Sequence, residues 1–184
     1  SDRRYKLAEY EGSARDQSNL GSMYHYGEGV AKDPSEAVRL YKLASDQGHA
    51  LAQIILGTMY ANGTGVAKDP SEAVRLYKLA ADQGHARAQS NLGYMYDSGT
   101  GVAKNPSEAV RLYKLAADQG HAHAQINLGT MYDNGTGVAK DPSEAVGLYK
   151  LAADQGHGTD QSYPVYMSAA GNGVTKNASD AARL

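Results

Sequence analysis

The chain of 184 residues carries 18 Lys and Arg against 20 Asp and Glu, a net charge of −2, with the basic residues spread rather than clustered. That balance argues against a nucleic-acid or anionic-membrane partner, because such partners are held by a basic face. No run of about 18 apolar residues offers a membrane-spanning helix. Cysteine, Trp and Phe are absent while Tyr occurs 14 times. Disulfides and thiolate metal sites are therefore excluded, and every large aromatic side chain brings a hydroxyl that needs a hydrogen-bond partner.

From the N-terminus, residues 3–12 read RRYKLAEYEG and align with RLYKLASDQG at 39–48. The chain is thus expected to open inside the second helix of a partial repeat, residues 1–12. From there Asp-Pro or Asn-Pro recurs at 33/34, 69/70, 105/106 and 141/142, and Gly at 48, 84, 120 and 156, a period of 36. Such a period marks a solenoid array, with full repeats at 13–48, 49–84, 85–120 and 121–156.

Each repeat reads as two helices. In the second repeat the first helix is expected from about Ala50 to Ala61, burying Ala52, Leu56, Met59 and Tyr60. Gly57 in its middle costs about 1 kcal/mol against Ala, which suggests close approach by another helix. The turn Asn62-Gly63-Thr64-Gly65 stops it. Asp69 then caps the second helix, with Pro70 at its first position and Glu72 behind it. Ala73, Leu76, Tyr77 and Ala80 follow the i, i+3, i+4, i+7 pattern of a buried stripe, and Gly84 ends the helix. Since one helix pair cannot bury its own apolar faces, the pairs must stack, and the prediction is a single all-α superhelix over 1–184. Residues 157–184 read as a degenerate partial repeat in which Pro164 would break a first helix, so 158–170 are expected to be irregular. Exposed stacking faces at the ends, marked by Leu7 and Leu184, leave end-to-end self-association open.

Ala50, Ala52, Leu56, Gly57, Tyr60, Gly63, Gly65, Val66, Asp69, Ala73, Leu76, Tyr77, Ala80, Ala81 and Gly84 together resemble the Sel-1-like repeat family, relatives of the tetratricopeptide repeat. The resemblance covers 13–156 in full copies. It implies a right-handed α/α solenoid whose first helices line a concave surface. It also implies adaptor roles in protein complexes, bacterial signalling, host interaction or endoplasmic-reticulum quality control. The compartment is left open between the bacterial periplasm or cytoplasm and the eukaryotic endoplasmic reticulum. Asp16, Asp160, Pro164, Val165 and Ser168 depart from the family pattern.

Positions that differ between the copies are released from the shared frame. The second helix barely varies, whereas the first varies at Arg15/Leu51/Arg87/His123, Asn19/Ile55/Asn91/Asn127, Ser22/Thr58/Tyr94/Thr130 and Tyr26/Asn62/Ser98/Asn134. Spaced i, i+4, i+7 and i+11, these lie on one helical face away from the buried stripe. They form the candidate concave binding face, drawn from Arg15, Asn19, Ser22, Tyr26, Ile55, Thr58, Arg87, Asn91, Tyr94, His123, Asn127 and Thr130. Asn offers donor and acceptor, so Asn19, Asn91 and Asn127 suit a peptide backbone, while Tyr and Arg are favoured at binding hot spots. The reading is a non-enzymatic scaffold for a protein or peptide, with no cofactor, metal or catalytic residue. A structural or self-assembling spacer is the alternative. An enzyme acting on β-lactams, which the resemblance admits, lacks its Ser-x-x-Lys motif here. His49, His85, His121 and His157 read as turn residues.

Overall fold

The computed structural model describes residues 12–155. Over these the chain is all-α, eight helices of 13 residues each with no strand: α1 Ala14–Tyr26, α2 Pro34–Asp46, α3 Ala50–Asn62, α4 Pro70–Asp82, α5 Ala86–Ser98, α6 Pro106–Asp118, α7 Ala122–Asn134 and α8 Pro142–Asp154. Consecutive helices pack as pairs in 36-residue repeats, the solenoid class expected. Two compact units divide the chain, residues 1–84 and 85–184. The expectations for Leu7, Leu184 and residues 158–170 lie outside the described residues.

The second helices start where the sequence places them. The Oδ1 atoms of Asp33, Asp69, Asn105 and Asp141 accept the backbone N–H of Glu36, Glu72, Glu108 and Glu144, each at 3.1 Å. Pro follows each cap, where its missing N–H is no loss. On α2, α4 and α6 the Glu side chain then pairs with the Arg three residues on, at 2.6 Å. The first helices start on histidine instead. Nδ1 of His49 accepts the N–H of Ala52 at 3.2 Å, and Nδ1 of His121 that of Ala124 at 3.3 Å. The recurring turn histidines are thus helix caps in those two repeats, whereas the side chain of His85 makes no cap bond.

At Asp141 the Ser143 hydroxyl adds a 2.7 Å bond to the same oxygen. That bond, followed by those from the backbone of Glu144 and Ser143, holds the carboxyl below its ordinary value of 3.8. A depressed carboxylate stabilises the fold above its unfolded pKa, and the contribution is lost as pH falls through the folded value. Ser143→Ala is therefore expected to move acid unfolding of the second unit to higher pH. Circular dichroism followed below pH 4 tests this, and an unchanged midpoint contradicts it.

The apolar faces interlock between repeats. In the first unit Ala37, Val38, Tyr41 and Ala44 of α2 meet Ala52, Leu56 and Met59 of α3 and Leu76 of α4. In the second unit Ala109, Val110, Tyr113, Ala116 and Ala117 of α6 meet Ala124, Leu128 and Met131 of α7 and Leu148 of α8. Within each repeat the framework tyrosine lies on a glycine of the first helix. A Cβ at Gly57, Gly93 or Gly129 would sit 2.7–2.8 Å from Cε1 of Tyr77, Tyr113 or Tyr149. Close approach is what these glycines permit. Gly65 and Gly137, at φ +68°, bring the turn against the Pro34 and Pro106 backbone of the preceding repeat, where no side chain fits.

Candidate functional site

The tyrosine hydroxyls find partners on the first helices. Thr58 Oγ1 donates to Ile54 O at 3.0 Å, so the Tyr77 hydroxyl donates to Thr58 at 3.0 Å. Thr130 repeats this with Ile126 O at 3.1 Å and Tyr149 at 3.2 Å. Ser22 bonds Tyr41 at 2.9 Å, and burial raises that Tyr41 hydroxyl to about 12, the bond from Ser22 opposing the rise. Of the candidate face, then, Ser22, Thr58 and Thr130 spend their hydroxyls on the frame, and Tyr94 fills the same position in the third repeat.

The remaining candidates divide by unit. On α1, Arg15, Asn19 and Tyr26 are exposed, and Tyr26 is 63% exposed. Ile55 on α3 is half-buried beside the exposed Leu51. On α5 and α7, Arg87, Asn91, Tyr94, His123 and Asn127 are all half-buried. The Nδ2 atoms of Asn91 and Asn127 are shielded and meet no hydrogen-bond acceptor. His121 and His123 stack edge to face with centroids 5.7 Å apart. Among the described residues no group of three His, Cys, Asp or Glu gathers as a metal site would require. No helix among them is long and apolar enough to cross a membrane.

Two features escaped the sequence reading. One is the position just before Tyr26, occupied by His25, Ala61, Asp97 and Asp133. His25 packs edge-on to Tyr26 at 4.6 Å, and its Nδ1 is buried without a partner. Burial first and Lys32 second hold its pKa below 6.5. Burial likewise raises Asp97 above 3.8, with Lys104 opposing. Variation between the copies was the signal here, since this position differs as much as its neighbours. The other feature is a glutamine pair in every repeat. Nε2 of Gln47, Gln83, Gln119 and Gln155 donates to Oε1 of Gln17, Gln53, Gln89 and Gln125 at 2.6, 2.9, 2.8 and 2.8 Å. Gln53 and Gln125 also donate to Ser45 O and Ala117 O, at 3.3 Å each. Constancy of both glutamines through all four copies was the available signal.

A family model described as the Sel1 repeat matches residues 14–49, 50–85, 86–121 and 122–157. Among solved structures, a Sel1 repeat protein from Oxalobacter formigenes is 39% identical, with a TM-score of 0.76 over 84% of this chain and 65% of its own. A protective antigen of uropathogenic Escherichia coli strains, displaying an SLR fold, is 37% identical, with a TM-score of 0.81 over 98% of this chain and 39% of its own. The Helicobacter pylori cysteine rich protein B, at 23% identity and a TM-score of 0.54 over 72% of this chain and 95% of its own, shares the fold. The chain thus spans less than two thirds of the first two structures' length. No curated protein sequence matches it.

Proposed function

The chain belongs to the Sel1 repeat family, and on that premise we propose that it is a non-enzymatic scaffold binding a protein or peptide segment on the variable row of its first helices. One observation carries this reading: a division of labour between the two helices of each repeat. The second helices repeat almost unchanged, and their caps, Glu–Arg pairs and buried tyrosines all serve folding. The first helices keep the frame positions but change residue along one row, at 15, 51, 87 and 123 and at 19, 55, 91 and 127. Folding alone explains the constancy of the frame. A partner explains why polar and aromatic groups favoured in binding sites gather where the frame leaves freedom.

Affinity capture from an extract of the source cells, with the wild-type chain and with a triple variant carrying Asn19→Ala, Asn91→Ala and Asn127→Ala, tests the reading. Proteins retained by the wild type are expected to be lost from the triple variant, whose melting temperature stays close to the parent's. Equal retention by both chains sinks it.

A further inference from the structure

Resting on that reading, we propose that acid loosens the binding row through the histidine caps of α3 and α7, a pH-sensitive switch that the second helices lack. The first N–H groups of a helix have no partner within it, and what accepts them differs between the two kinds of helix. On the second helices the acceptor is an Asp or Asn oxygen. Asn does not titrate, and a carboxylate ordinarily gains its proton only near pH 4. On α3 and α7 the acceptor is an imidazole nitrogen, Nδ1 of His49 at 3.2 Å from Ala52 N and Nδ1 of His121 at 3.3 Å from Ala124 N. On α1 it is the Ser13 hydroxyl, 3.2 Å from Asp16 N, and on α5 the His85 side chain makes no such bond.

A ring nitrogen accepts only while it is unprotonated, and histidine is the side chain that ordinarily changes charge between pH 5 and 8. A protonated Nδ1 turns a second N–H toward that of Ala52 or Ala124. It also sets a positive charge at the helix end where the dipole is already positive. The bond exists only in the folded helix with a neutral ring, so the cap and the proton compete. Its contribution is therefore present at the upper end of that range and lost as pH falls. For His49, the charged groups in the last two turns of the helices packed against its own are Lys42 and Asp46 on α2 and Lys78 and Asp82 on α4. For His121 they are Lys114 and Asp118 on α6 and Lys150 and Asp154 on α8. Both sets sum to zero, so the two caps sit in matched surroundings. They differ two residues on, where Leu51 follows His49 while the His123 ring meets that of His121 edge to face at 5.7 Å. Protons on both rings of that pair repel each other. The binding row begins in the turns these caps close, at Leu51 and Ile55 on α3 and at His123 and Asn127 on α7. Acid thus frays the row from its N-terminal end while the frame keeps its caps.

The test uses the whole chain labelled with 15N. Amide exchange of Ala52 and Ala124 is read at pH 7.5 and 5.5 as a ratio to Ala88, which holds the same place behind the uncapped His85. All three are fully buried, and the ratio cancels the pH dependence of exchange itself. Ala52 and Ala124 are expected to exchange at least five-fold more slowly than Ala88 at pH 7.5 and to lose most of that margin at pH 5.5. His49→Asn with His121→Asn puts a favoured, non-titrating cap at both places and is expected to keep the margin at both pH values. A margin unchanged with pH in the parent, or lost equally in the double Asn variant, overturns the proposal. Proteins captured from the extract at pH 7.5 are expected to leave the parent at pH 5.5 and to stay on the double Asn variant. Should both chains hold those proteins alike at pH 5.5, the caps do not govern the row and the proposal is overturned. If no protein is captured at pH 7.5, the scaffold reading falls and takes partner release with it, while the titrating caps stand on the amide margins.

Discussion

Replacing Tyr77 with alanine is expected to cost the first unit about 3–5 kcal/mol, the range for truncating a buried aromatic ring. The ring is 3% exposed, lies on Gly57, and its hydroxyl donates to Thr58. The same contact predicts a change of sign at Gly57. In the parent, a Cβ there would stand 2.8 Å from Tyr77 Cε1 and 3.0 Å from Cδ1. Overpacking of about 1–3 kcal/mol outweighs the gain of about 1 kcal/mol in helix propensity, so Gly57→Ala is expected to destabilise. With Tyr77→Ala already in place the clash is gone, and Gly57→Ala should then stabilise. Gly147 is the control, since a Cβ there meets nothing within 4 Å, and Gly147→Ala should stabilise by about 1 kcal/mol in the otherwise unchanged chain. Urea denaturation of the double-mutant cycle reads all of this. Additive effects at 57 and 77 contradict the proposed packing.

The second large effect is expected around Gln53. Its side chain is 3% exposed, accepts from Gln83 at 2.9 Å and donates to Ser45 O at 3.3 Å, across the join between two repeats. Gln53→Leu fills a similar volume and costs about 0.5–1.5 kcal/mol, because the Ser45 carbonyl keeps the N–H of Gly48 at 2.8 Å. Gln83 is exposed and keeps a bond to Leu79 O at 3.4 Å, so it too is left satisfied by that change. The prediction is therefore asymmetric: Gln83→Leu, which leaves the buried Gln53 Oε1 without its donor, should cost about 1–3 kcal/mol and more than Gln53→Leu. Equal losses in thermal unfolding contradict it.

These residues show what the sequence made legible and why the rest was hidden. The caps at Asp33, Asp69, Asn105 and Asp141 and the stripe Ala73, Leu76, Tyr77 and Ala80 were readable because they are local. A cap acts over three residues and a stripe over seven. The glutamine pairs join residues 30 apart and the tyrosine–hydroxyl pairs residues 19 apart, distances at which periodicity says only that something recurs. The histidine caps were hidden for a different reason, since imidazole is not among the usual capping groups. The candidate face was legible as a row of variable positions. Its inner division was not. Which hydroxyls the frame uses depends on where α2, α4 and α8 place Tyr41, Tyr77 and Tyr149.

The central claim is that the second helices are frame and the first helices carry the binding row. Photo-crosslinking tests it most directly, with a benzophenone side chain placed in turn at His123 on α7 and at Leu115 on α6. Leu115 is 41% exposed and His123 half-buried, so the control site is the more accessible of the two. The account predicts that captured partners crosslink from position 123 and not from position 115. Crosslinks from 115 alone would contradict it.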